Sequence, residues 1–372
     1  MNTISDDKKY SSIHYNSYLQ LDKILSAQEL RSLEVGDQLA HDEMLFIITH
    51  QVYELWFKQI NFELKSIMDD FKGDNVNEKN MGVAVSRIDR INEILKLLVQ
   101  QIAIIETMTP LDFLDFRNYL FPASGFQSFQ FREFEVLLGL KDAKRFTYND
   151  KPYTVVFDQA KKDTLGELEN AKSLFQLVEN WLERTPFLKI SEFNFVEEYR
   201  KSVENMLDRE KKAIQNTEVL SDEFKEMRLR MLGDTRTYFA NILDEKYHES
   251  LIAEGKMTLS YPATVASLFI SLYRDEPILH LPFKLISGLV ELDDHLTTWR
   301  YRHAQMVMRM LGKKVGTGGS SGHEYLSETA ARHYIFRDFH NVSTLLIPRS
   351  ELPTLPPILH EKLGFLYSKN NV

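Results

Sequence analysis

The 372-residue sequence contains no cysteine. That excludes disulfides, zinc–thiolate and iron–sulfur centres, a catalytic thiol and a thiolate-ligated iron. Any metal must therefore rest on the 11 histidines, on carboxylates or on other oxygen donors. An excess of positive charge is lacking as well: 45 Lys and Arg against 54 Asp and Glu give a net charge of −9. Nucleic acid and anionic membrane are thus poor partners, and a small molecule or another protein is favoured. No run approaches the roughly 18 to 20 apolar residues that span a bilayer. The polar N-terminus MNTISDDKKYSS lacks the basic-then-apolar order of a secretory signal, so a cytoplasmic protein is expected. Glycine and proline are scarce, 15 and 11 residues, which leaves long stretches without a breaker.

What fills those stretches is apolar side chains at spacings of three and four, the period of a helix packed along one face. The pattern predicts a nearly all-α chain, with helices near 18–34, 39–72, 80–106, 159–184, 194–214, 221–252, 261–273, 280–311 and 322–339. Only TYNDKPYTVVF, 147–157, reads as strand-like, and there as a short hairpin. Charge density rises and aromatics thin out across 183–256, as in RKSVENMLDREKKAIQ. The expected organisation is a flexible tail at 1–14, an aromatic helical body from 15–182 and 257–372, and a charged helical insert at 183–256.

Three segments carry the chemistry. In FIITHQVYELWF, 46–57, Phe46, His50, Tyr53 and Phe57 share one helical face, so an imidazole is framed by rings. Such a histidine is either a core residue bonded to a carbonyl or the wall of a pocket for a flat apolar ligand. In VELDDHLTTWRYRHAQMVMRMLG, 290–312, His295, Trp299 and His303 follow at four-residue steps, then Met306 and Met310. Two histidines eight residues apart on a helix lie about 12 Å apart, too far to share one metal ion. One of them would be an axial ligand, with a porphyrin supplying four nitrogens, or the face is a methionine-rich core seam. In TPLDFLDFRNYLFPASGFQSFQFREFE, 109–135, Arg117 and Arg132 stand among seven phenylalanines. Arg117 either pairs with Asp112 or Asp115 or, partly buried, receives a ligand carboxylate.

Five glycines concentrate in GKKVGTGGSSG, 312–322. A phosphate cradle fails on context, because the stretch follows a helix and fits neither nucleotide-loop register. Gly312 reads as a helix C-cap, Ser321 to Glu324 as a capping box, and the residues between as a lid over a pocket.

FIITHQVYELWFKQI, DFRNYL with PASGFQSFQFR, WRYRHAQMVMRMLG, GTGGSSG and LIPRSELP together resemble the tryptophan 2,3-dioxygenase family, in order and spacing, over roughly 15 to 355. The resemblance implies an all-helical haem-dioxygenase fold and a homotetramer built as a dimer of dimers, with one haem b per subunit. It implies insertion of both atoms of O₂ across the indole C2–C3 bond of L-tryptophan, giving N-formyl-L-kynurenine, the first step of tryptophan catabolism by the kynurenine pathway. It makes His303 the axial iron ligand, with Trp299 and Arg132 beside the cofactor. His50 becomes the distal histidine, and Arg117 the holder of the substrate carboxylate. Thr317 meets the ammonium and carboxylate end, Phe46, Tyr53 and Phe113 pack the indole, and Ser124 lies near the haem edge. The segment YNSYLQLDKIL resembles the part of the family that completes a neighbouring subunit's pocket, which assigns Tyr15, Tyr18 and Leu19 to a partner's site. Asn16 and His323 depart from the family's usual glycine and aromatic. Two rivals are a carboxylate-bridged di-iron bundle, for which the sequence offers only Glu245 to His248, and a helical scaffold with an aromatic groove.

Overall fold

The computed structural model describes residues 12–36, 38–141, 145, 152–312, 314 and 322–365. In chain order come α1 (Tyr15–Leu19), α2 (Leu21–Leu25), α3 (Arg31–Glu34), α4 (Glu43–Phe71), α5 (Glu78–Ile105), α6 (Pro110–Arg117), α7 (Phe129–Leu138), α8 (Gln159–Asn170) and α9 (Leu174–Glu183). A two-stranded antiparallel hairpin follows, β1 (Lys189–Ile190) with β2 (Phe193–Asn194), paired Lys189 to Asn194 and Ile190 to Phe193. The chain continues through α10 (Phe195–Asn216), α11 (Asp222–Ile242), α12 (Glu245–Ala253), α13 (Tyr261–Leu272), α14 (Pro277–Leu311), α15 (Gly322–Arg332), α16 (Arg337–Val342) and α17 (Pro357–Leu363). The all-α expectation is met.

Three long helices make the frame. α5 lies between α4 and α14, α7 packs on α4, and α15 packs on α14. The spacing of apolar residues dictates this: Met81, Ala84, Val85, Ile88, Ile91, Leu95, Leu98 and Ile102 of α5 are all buried, at steps of three and four. Each fully buried Ile or Leu contributes about 1.5–3 kcal/mol. The α5–α14 crossing is tightest at Gly288, where an added Cβ would stand 2.6 Å from Ile88 Cγ2. Asn92 Nδ2 donates to the Gly288 carbonyl across the same gap, at 3.0 Å. No single helix among the described residues is long and apolar enough to cross a membrane.

Several helices expected to be continuous are broken, three of them where a polar side chain caps a new start inside an unbroken apolar period. Residues 159–184 divide at Ser173, which forms a capping box with Gln176. Residues 221–252 divide at Asp244, whose carboxylate accepts the Tyr247 amide at 2.8 Å. Residues 322–339 divide before α16, where Asp293 of α14 accepts the amides of Ile335 and Phe336 at 2.9 and 2.8 Å. Residues 18–34 become α1, α2 and α3, with Gln20 between the first two in the left-handed region at φ 54°. The strand-like reading at 147–157 is corrected where the structure describes it: Tyr153–Val156 is a 3₁₀ turn, and 147–151 lie outside the described residues. The hairpin occurs instead at 189–194, turning through Ser191 at φ 50°.

The charged segment 183–256 is rooted in the main core. Phe195, Tyr199, Val203, Leu207 and Ile214 of α10 are buried in the same cluster as α13 and α14. The Phe195 ring lies 5.1 Å from that of Phe269, and the Tyr199 hydroxyl donates to the Leu345 carbonyl. α11 buries only Leu232, Phe239 and Ile242, which accounts for its polar composition.

Candidate functional site

α4, α6, α7 and α14 enclose a cavity of 580 Å³. Phe46, His50, Tyr53, Phe113, Arg117, Ser124, Arg132, Trp299 and His303 all line it, so residues separated by more than 250 positions are brought together.

On α4, the His50 Nδ1 lies 2.7 Å from the Phe46 carbonyl oxygen. A carbonyl only accepts, so Nδ1 carries the proton and Nε2 of the neutral ring is left as an acceptor. The ring is accessible from the cavity yet walled in by protein. That burial lowers its pKa, against the Phe46 carbonyl and Glu54, which raise it. Phe46 stacks on it at 4.1 Å and 36°. Phe113 stands 5.8 Å from Phe46, and Phe116 packs on both from below.

α14 supplies the other wall. The His303 ring stacks on Trp299 at 5.3 Å and 26°. Trp299 is itself gripped by Phe131 at 5.1 Å and by Phe57 at 6.1 Å and 90°. Burial, and then the nearby His50, push the His303 pKa down to about 4, so the imidazole is neutral and offers a lone pair. Tyr53 packs on Phe57 and Trp299, with its hydroxyl donating to the Leu98 carbonyl at 2.8 Å. Its ring thus packs on the Trp299 side of the cavity.

Arg117 sits in the last turn of α6. That helix is fixed at its start by a capping box: the Thr109 amide donates to Asp112 Oδ2 at 3.0 Å, and the Asp112 amide to Thr109 Oγ1 at 3.3 Å. The Thr109 hydroxyl, which also donates to Asp112 Oδ2, and then the Thr109 amide hold the Asp112 carboxyl below its usual range and commit it to the cap. Ser124 caps the 3₁₀ turn Gly125–Gln127, which presents it to the cavity. Thr317 lies outside the described residues, as does the lid expected at 315–321, Ser321 of the expected capping box included. Gly312 ends α14 as expected, at φ 60° with its amide donating to the Met308 carbonyl at 2.8 Å.

Glu135, Arg145 and Arg300, which meet Arg132, were not singled out from sequence. Glu135, buried on α7, accepts from Arg132 and Arg145 at 2.8 and 2.6 Å on Oε2, and from Arg300 at 2.8 Å on Oε1. Burial alone would raise its pKa, but Arg145, Arg132 and Arg300 outweigh that and hold it well below the ordinary range. Arg300 also donates to the carbonyl of His333 at 2.8 Å. The signals were present as Arg132 to Glu135 at i, i+3 and as Arg300 one turn before His303.

Tyr15, Tyr18 and Leu19 stand outside the cavity of their own chain, with Tyr15 and Tyr18 each 70% exposed. α1 and α2 bury no residue at all. Polar clasps hold this arm to α4: the amides of Arg31 and Ser32 donate to the fully buried Glu43 carboxylate at 2.8 and 3.0 Å, and Gln51 donates to the Ala27 carbonyl at 2.9 Å. At Glu245 to His248, His248 is buried with Nε2 2.9 Å from the Leu259 carbonyl oxygen. Among the described residues no three His, Asp or Glu side chains converge as a metal-binding set.

Residues 2–346 match the family model described as tryptophan 2,3-dioxygenase. The chain is similar to the tryptophan 2,3-dioxygenase of Bdellovibrio bacteriovorus, 48% identical over 359 residues that cover 96% of this chain and all of that one. It is similar to the tryptophan 2,3-dioxygenase of Alteromonas mediterranea, 47% identical over 358 residues, 96% of this chain and 99% of the other. Tryptophan 2,3-dioxygenase B of Danio rerio is 48% identical over 351 residues, 94% of this chain and 86% of its own.

Proposed function

Because the chain belongs to the tryptophan 2,3-dioxygenase family, we propose that the cavity between α4 and α14 binds haem and L-tryptophan together, with His303 as the axial iron ligand and His50 on the substrate side. The reaction is the oxidation of tryptophan by O₂ to N-formylkynurenine. The observation that carries the site assignment is that two neutral imidazoles, from α4 and α14, line one aromatic cavity that also holds Arg117.

The residues fit a porphyrin. A single neutral imidazole with a lone pair, set on a stacked indole, suits an axial position. The chain supplies no competing cluster of ligands among the described residues, so the remaining nitrogens must come with the cofactor. Haem, when bound, supplies the activation of O₂.

The protein's part is to bind, orient and exclude water. Phe46 and Phe113 offer the indole a flat apolar wall. Burying about 200 Å² of indole at about 25 cal/mol/Å² gives about 5 kcal/mol before ordering costs, so the rings supply much of the affinity. Arg117 receives the substrate carboxylate, and a fork-shaped guanidinium fixes its orientation as well as its charge. Ser124 lines the cavity near where the haem edge would lie, and Thr317, outside the described residues, is assigned to the ammonium and carboxylate end of the substrate. With its Nδ1 proton on the Phe46 carbonyl, His50 is set to accept a hydrogen bond from the indole N–H at Nε2. It orients the ring without needing to remove a proton. Trp299 stacks on the His303 ring and steadies it, and Arg132 would stand beside the cofactor. The exposed arm bearing Tyr15, Tyr18 and Leu19 closes the pocket of a neighbouring subunit in a homotetramer; its outward apolar rings support this.

The test is direct. The purified full-length protein is expected to show an intense Soret band and to form N-formylkynurenine from L-tryptophan and O₂. Protein that takes up no haem under any reconstitution would overturn the cavity assignment.

A further inference from the structure

α3 lies against the turn that follows Arg117, and almost nothing apolar holds it there. Across α1, α2 and α3 a single residue is buried, and it is Ser32. A helix of four residues does not stand by itself in water, so contacts with the body must set its place. Those contacts are polar. The Glu43 carboxylate at the start of α4 is fully buried and accepts the amides of Arg31 and Ser32, at 2.8 Å on Oε1 and 3.0 Å on Oε2. Ser32 Oγ in turn accepts the Ala40 amide at 3.2 Å. Both acceptor side chains are out of water, so these bonds are costly to leave unmade.

The far side of α3 meets the substrate end of the cavity. Gly36 comes so close to Tyr119 that an added Cβ would stand 2.9 Å from its hydroxyl and 2.6 Å from the Ser32 carbonyl oxygen. Tyr119 belongs to the 3₁₀ turn Asn118–Leu120, which continues directly from Arg117 at the end of α6. Arg117 and Leu120, on either side of this stretch, both line the cavity. Ala40 is buried in the small cluster on which Tyr119, Phe46 and Phe113 pack. The bonds made by Glu43 therefore end on the turn that aims Arg117. A guanidinium grips a carboxylate through two parallel N–H groups, so a small rotation of that turn forfeits one of them.

We propose that Glu43 is a positioning residue for the reaction: it latches α3 in place, and α3, through Gly36 against Tyr119, fixes the turn that presents Arg117 to the substrate carboxylate. The inference rests on the assignment of Arg117 and deepens it. Glu43 touches no substrate. It acts through two backbone amides and one close contact between α3 and the turn.

The experiment measures binding of L-tryptophan and of tryptamine, the same indole and amine without the carboxylate, to the haem-loaded full-length protein under argon, by titration calorimetry. The wild-type protein is expected to favour L-tryptophan by about 100-fold, as a bidentate charged contact predicts. Glu43→Gln sets a donor against one of the two amides. It is expected to lower that preference about tenfold, weakening L-tryptophan and leaving tryptamine within about twofold. Gly36→Ala, whose methyl must move α3 off Tyr119, should do the same. A wild-type preference in either variant, folded and haem-loaded, would make the latch merely structural and overturn the proposal. Hydrogen exchange in the wild-type protein decides the matter if the variants do not fold. Coupling between two sites is reciprocal, so L-tryptophan must slow exchange at the Arg31 and Ser32 amides about tenfold and tryptamine must not. Equal protection by both ligands, or none by either, would overturn the latch. Equal affinity of the wild-type protein for the two ligands is a different failure, since it removes the Arg117 assignment itself and the latch with it.

Discussion

His50 and His303 have the same side chain and, in the proposed site, opposite tasks, and their surroundings separate them. His50 has Nδ1 on its own helix's carbonyl and a phenylalanine stacked on its face, an arrangement that orients an acceptor. His303 rests on Trp299 and is driven to about 4 by burial and by His50, an arrangement that keeps a lone pair available. His303→Ala is accordingly expected to lose the Soret band. His50→Ala is expected to retain it while kcat falls about tenfold or more, as befits a group that orients the substrate. Equal haem retention in the two variants, measured by pyridine haemochrome, would show the faces to be reversed. His333 gives a pH signature. Its pKa of about 4 in the fold, set by burial and then by Arg300, compares with 6.5 for a free imidazole. The unfolded chain therefore binds the extra proton between those values, and native stability, full above about pH 6.5, is lost as pH falls towards about 4. Denaturation midpoints should drop over that window in the haem-loaded protein and drop less in His333→Asn; a flat profile would contradict the assignment.

At the scale of the element, the site depends on where α5 lets α14 lie. Gly288 makes that contact close, since a methyl there would press on Ile88 Cγ2 at 2.6 Å. Gly288→Ala is expected to cost about 1–3 kcal/mol by overpacking, despite alanine's better helix propensity, and to lower the thermal midpoint. A stabilised variant would mean that the helices part without strain. The elements also show what a sequence makes legible. The periodicities of α4, α5 and α14 were readable because one face of each is buried, α13 was readable because it is apolar and buried all round, and the cavity-lining residues of α4 and α14 follow from the first pattern. The breaks at Ser173, Asp244 and Ile335 were not, because an apolar period continues through a cap. The break at Ile335 is made by Asp293, 42 residues away in sequence. The Glu135 cluster was hidden for the same reason. Its arginines come from three separate segments, and only folding shows that they share one carboxylate.

For the whole molecule, the arm of residues 12–36 is the telling part. It buries nothing within α1 and α2, exposes Tyr15 and Tyr18, and is held to α4 by Glu43 and Gln51. Apolar rings left outward on a polar tether are expected to seat in another subunit. Tyr18→Ala should raise KM for L-tryptophan by about tenfold, the loss of one buried aromatic contact worth about 1.5 kcal/mol, while the Soret band is unchanged. An unaltered KM in a protein that is tetrameric by light scattering would place the arm elsewhere.

In the proposed assembly that tether would divide ownership of each pocket. Glu43 and Gln51 belong to the helix bearing His50, while the rings they support would serve a different copy of the chain. Two defective versions, one damaged at Arg117 and the other at Tyr18, would each fail alone. Co-expressed, they form hybrids in which the sound guanidinium of one meets the sound ring of the other, so that a mixture of two inactive polypeptides recovers part of its activity through complementation.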